Sequence, residues 1–141
     1  WKEFVEGLPQ GLPARGDRGL DNTFTHERIY WGGNLYWLLA DVKIRVKTNN
    51  HHSIDDDIRA ILNAGGNGGE HWSLERVLNA GDEASKTTVL TDLHDQLGLK
   101  PGTTDLEDLW KNLGVKYNNG AISFDDTAPW AAVRIAITGK R

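Results

Sequence analysis

The sequence predicts an all-α domain, a compact bundle of about five to six helices with one small β-hairpin near residues 115–124. Three observations carry this expectation. Apolar residues recur at helical spacing in several stretches, those stretches are closed by glycine or asparagine, and only VKYNNGAISF shifts to a period of two. All 141 residues are assigned to a single domain, with residues 1–32 an irregular lead-in and residues 33–141 the helical part.

The chain opens on Trp1-Lys2-Glu3-Phe4-Val5, which reads as the middle of a helix and carries neither an initiator methionine nor a signal-peptide pattern. The expectation is a piece of a longer protein. From Gly7 to Asn22 glycine and proline are dense enough to read as loop.

Leu35, Leu38, Leu39, Val42 and Val46 then fall on one face of a helix from about Gly33 to Thr48. Tyr36, Trp37, Ala40 and Ile44 make its other sides apolar, so it is expected to be central and mostly buried. Ser53 can cap a second helix that runs to about Ala64, with Asp55 and Asp56 in its first turn meeting the helix dipole. AGGNGG follows as a turn, and Ser73 can cap a short helix closed by Gly81.

Two more stripes run through Val89, Leu90, Leu93 and Leu97 to Gly98, and through Leu106, Leu109, Trp110 and Leu113 to Gly114. Asn119-Gly120 is a favoured two-residue hairpin turn, flanked by Val115, Tyr117, Ile122 and Phe124. Ala128-Pro129 then opens a last helix that ends before Gly139.

Composition narrows the function. The net charge is −4 with Lys and Arg scattered, so a nucleic-acid partner is not expected. No stretch reaches the roughly 18 apolar residues of a membrane span. There are no cysteines, hence no thiolate zinc site and no cysteine nucleophile.

The histidines do not assemble into a metal motif. His26-Glu27-Arg28-Ile29-Tyr30 begins like HExxH but has tyrosine in the place of the second histidine. His51 and His52 diverge from one element, His71 and His94 have no partner at i+3 or i+4, and Asp55, Asp56 and Asp57 fan around a helix. No metal ligand and no cofactor are assigned to this chain. Of the six tryptophans, Trp37, Trp110 and Trp130 lie on helical stripes and read as core, whereas Trp31 and Trp72 are the candidates for exposure.

At Tyr30-Trp31-Gly32-Gly33-Asn34-Leu35 the sequence resembles the segment downstream of the zinc ligands in gluzincin aminopeptidases, the glycyl aminopeptidase branch in particular. The resemblance continues through Asp41, Ile44, Arg45 and Thr48 and then Ser53, Asp55, Asp56 and Arg59, in order and spacing from Tyr30 to Arg59. From Leu74 onward only the helical pattern is similar.

The resemblance implies the carboxyl-terminal helical part of a zinc peptidase whose zinc motif lies upstream of Trp1. Zinc is then expected in the parent protein, with the upstream zinc-binding part of the same polypeptide as partner and a peptide as the parent's substrate. Tyr30 would donate to the oxyanion of the tetrahedral intermediate, and Trp31, Gly32 and Gly33 would line the substrate cleft. A phenol suits that role because it donates to a growing negative charge without adding a fixed one. An extracytoplasmic location follows from the resemblance alone. Self-association is expected if a partner surface is left open. The rival reading is a non-enzymatic helical interaction or ligand-binding module.

Overall fold

The computed structural model describes residues 1–139. Its α-helices are α1 (Lys2–Gly7), α2 (His26–Thr48), α3 (Ile54–Asn63), α4 (Leu74–Ser85), α5 (Val89–Leu93), α6 (Leu106–Leu113) and α7 (Ala131–Thr138). Short 3-10 turns at Leu8–Gly11 and Leu20–Asn22 join α1 to α2, and α5 runs on into a π-helical turn at His94–Gly98. A two-stranded antiparallel hairpin, β1 (Val115–Asn118) and β2 (Ala121–Phe124), lies between α6 and α7. The all-α class with one hairpin is what the periodicities dictate.

The central helix α2 is 23 residues long. Leu35, Val42 and Ile44 on it pack with Leu8, Leu90, Leu93, Leu97, Leu113 and Val133 in one continuous core. Full burial of one such aliphatic side chain stabilises by about 1.5–3 kcal/mol. Tyr36 on α2 reaches across and donates to the carbonyl of Leu90 at 2.8 Å, tying α5 to the central helix.

Two boundaries differ from the sequence expectation. Helix α2 starts at His26, seven residues before Gly33, so the lead-in is not irregular over its whole length. Glycine inside a helix costs about 1 kcal/mol relative to alanine, yet here Gly32 has a packing reason. The turn after α1 comes so close that a Cβ on Gly11 would lie 2.4 Å from the Gly32 nitrogen, and one on Gly7 would lie 2.1 Å from the Trp31 ring. Arg28, one turn before Gly32, fastens the same contact. Its Nε donates to Asp17 Oδ2 at 2.9 Å, its Nη2 to Asp17 Oδ1 at 3.4 Å, and its Nη1 to the Gly11 carbonyl.

Helix α4 runs through Gly81 to Ser85 and is closed by Lys86 in the left-handed region. Gly81 is a close-approach residue, because a Cβ there would stand 2.5 Å from Leu90 and 3.3 Å from the Asp57 Cβ. Trp37 is the third difference. Expected in the core, it is 48% exposed, on the side of α2 away from Leu35 and Leu39. Trp110 and Trp130 do pack against the core, half-buried.

The hairpin forms as its turn residues require. Asn119 and Gly120 take φ of 50° and 80°, the pair of left-handed conformations of a two-residue turn, and Asn118 pairs with Ala121 across it. Arg134, on α7, locks the hairpin to α6 by donating to the carbonyls of Leu113, Gly114 and Asp125 and pairing with Asp126. The N-terminal segment straps over the other end of the chain. Trp1 meets Trp110 edge-on at 6.4 Å, Tyr117 donates to Glu6, and His94 pairs with Asp21 at 2.8 Å. No described helix is long and apolar enough to cross a membrane.

Candidate functional site

Tyr30 stands in the second turn of α2, where the stripe His26, Tyr30, Gly33, Trp37, Asp41, Ile44 and Thr48 runs at spacings of three and four residues along one side. That stripe changes character along its length. Ile44 is completely buried and Asp41 nearly so, whereas Tyr30 and Trp37 are 55% and 48% exposed. Along this stripe the carboxyl half of α2 is covered, with Lys43 and Lys47 exposed on another side, and the amino half is open.

The rings at the open end organise each other. His26 stacks on Tyr30 with centroids 6.1 Å apart and planes 12° from parallel, and Trp31 meets Tyr30 edge-on at 5.1 Å. The phenol oxygen of Tyr30 makes no hydrogen bond among the described residues, so its proton is free to donate outward. Phe24 and Ile29, near Tyr30 in sequence, are exposed as well.

The residues expected to line a cleft with Tyr30 divide between two sides. Gly33 lies on the open stripe, with nothing within 4 Å of where its Cβ would be. Gly32 is buried under the lead-in, where a Cβ would strike Leu20 at 2.4 Å, and the half-buried Trp31 ring lies over Gly7. Trp72, the other tryptophan expected at the surface, is half-buried and carries the Arg76 guanidinium 3.7 Å above its ring.

The remaining motif residues build the joint between α2 and α3. Asp41 Oδ1 accepts from Arg45 Nε at 2.9 Å and from the backbone N–H of Ile54, the first residue of α3, at 3.0 Å. Thr48 donates to the Ile44 carbonyl and accepts from the His52 N–H, while Ser53 and Asp56 form a capping box. The spacing from Asp41 to Asp56 thus holds the turn, with Asn49 and Asn50 in the left-handed region between the helices.

The most perturbed interior acid is Asp57, the last of the three consecutive acids expected to fan around α3. Asp57 is fully buried between α3 and α4, its Oδ1 has no hydrogen-bond partner, and its Oδ2 accepts only from the Ser85 hydroxyl at 3.3 Å. Burial pushes its carboxyl up to about 7, against the Ser85 hydrogen bond and with help from the negative charges of Asp82, Asp56 and Asp41. Asp82 beside it caps α5, accepting from the N–H groups of Leu90 and Thr91 at 2.8 and 3.0 Å. The signal for Asp57 is positional, since it shares the stripe of Ile54 and Ile61.

Among the described residues no three His, Asp or Glu side chains are grouped so that they could hold a metal ion. Set against protein-family models, curated proteins and solved structures, the chain finds no match.

Proposed function

We propose that this chain is the carboxyl-terminal helical domain of a gluzincin-like zinc peptidase, forming one wall of the active-site cleft and supplying Tyr30 as a hydrogen-bond donor. The reading rests on the half-covered stripe of α2. A phenol with an unused proton, braced by His26 and Trp31, stands at the end of the helix that lacks cover, within the segment that resembles the family. The occupant of that face is the upstream, zinc-bearing part of the same polypeptide, which would carry the metal and the general base.

In this arrangement Tyr30 binds the oxyanion of a tetrahedral intermediate more strongly than the ground-state carbonyl. Its contribution falls on kcat and leaves substrate binding alone. The absence of side chains at Gly33 leaves room beside the phenol for a peptide backbone.

Tyr30→Phe in the full-length polypeptide tests this. The ring and its stacking are retained, so stability stays level while kcat drops by roughly 10²–10³ on short peptides at nearly constant KM. Equal kcat values at equal melting temperatures would reduce Tyr30 to a packing residue.

A further inference from the structure

About 20 Å along α2 from Tyr30, by helical rise, lies a groove at the edge of the core that the peptidase reading does not use. Its volume is about 420 Å³, within the size range of sites for small organic ligands, about 300–1,000 Å³. Leu39, Val42 and Val46 of α2 supply an apolar wall, and Leu109 of α6 and Trp130 face it.

The charges on its lining are divided by sign. Lys43 and Lys47 stand one helical turn apart on α2, and Asp105 and Asp108 stand at the start of α6. All four are exposed. Lys47 is 4.0 Å from Asp92, while Lys43 has no ion-pair partner among the described residues. Asp105 accepts from the Asp108 N–H as the cap of α6, and Asp108 accepts from Asn112, both bonds leaving the carboxylates their charge.

An apolar floor with cations on one wall and anions on the other complements a ligand that has an apolar body and opposite charges at its two ends. We infer that this groove binds short zwitterionic peptides with large apolar side chains. The terminal carboxylate lies toward Lys43 and Lys47, the terminal ammonium toward Asp105 and Asp108, and the side chains pack on the half-buried Val46 and Trp130. A single-sign ligand leaves one wall unmatched, and a neutral one leaves both. The inference does not rest on the peptidase reading, because Tyr30 and the groove lie at different ends of α2.

The test uses the 141-residue chain, isotope-labelled, with three probes followed by amide and indole chemical shifts. The probes are the dipeptide Leu-Phe, its N-acetyl form and its C-terminal amide. Saturable shifts confined to the groove are expected for Leu-Phe, with binding weakened roughly two- to fivefold by loss of either terminal charge. Lys43→Gln should abolish the preference for the free carboxylate, and Asp108→Asn the preference for the free ammonium, each at an exposed position. Equal binding of all three probes would overturn the inference and point instead to an internal segment of a protein partner. Absence of saturable shifts at the solubility limit of Leu-Phe, with the chain folded, would overturn it outright.

Discussion

Asp57 sits where a charge finds neither water nor a cation, and its carboxyl responds by holding its proton to about pH 7. In the unfolded chain the same group ionises near pH 4. The folded value is the higher one, so the native state binds more protons between roughly pH 4 and 7, and stability falls as pH rises through that window. Asp57→Asn removes the titration while keeping an oxygen for Ser85. Urea melts should show the difference between variant and wild type moving in the variant's favour from pH 4 to pH 8, by up to about 4 kcal/mol. A difference independent of pH would show that Asp57 is ionised and solvated in the native state. Residues of this kind were the least legible in the sequence. Asp55, Asp56 and Asp57 together read as a fan of helix-dipole carboxylates, and the run of three acids masks the one that shares a stripe with Ile54 and Ile61. Arg28, Arg45 and Arg134 are buried and bonded to backbone or carboxylate, and a buried arginine has no sequence mark until its partner is known.

At the scale of elements the sequence was legible wherever one residue type can do only one thing. Asn119-Gly120 demanded its turn, and the left-handed ends at Asn49 and Gly114 closed α2 and α6 where expected. Gly32-Gly33 and Gly81 misled, because glycine marks both helix ends and places where two backbones touch, and spacing alone does not separate the uses. Alanine scanning separates them. Gly11→Ala forces a Cβ to 2.4 Å from a backbone nitrogen that has nowhere to move, and should cost about 1–3 kcal/mol in denaturant melts. Gly33→Ala meets open space in a helical conformation and should stabilise by up to about 1 kcal/mol. Similar losses from both would mean that α2 and the lead-in do not pack as described. The apolar circumference of α2 points Trp37 into the core, but a helix covered on one side over half its length buries only the facing stripe.

For the whole molecule, the class and the order of elements follow from periodicity, while the exposure of one side of the amino half of α2 follows from no pattern in the sequence. An open surface that includes Phe24, Ile29, Tyr30 and Trp37 should make the 141-residue chain self-associate with rising concentration. Sedimentation velocity should show that association, and Trp37→Lys should suppress it without lowering the melting temperature. A wild-type chain that stays monomeric at high concentration would argue that this face has no apolar partner. The N-terminal strap carries a consequence of another kind. Glu6 meets Tyr117 across 111 residues of sequence, and Asp21 meets His94 across 73, so closing these contacts means ordering almost the entire chain into one loop. The helical pairs α3–α4 and α4–α5 need only short closures. The lead-in itself is tied to α2 by short closures, Gly11 and Asp17 to Arg28, so the largest loop cost falls on the two distant contacts of Glu6 and Asp21 alone. The Gly32 face of the central helix, covered by Gly11 and Leu20 from the adjoining lead-in, is thus closed by local chain, while the two distant contacts add a separate clasp between the ends of the fold.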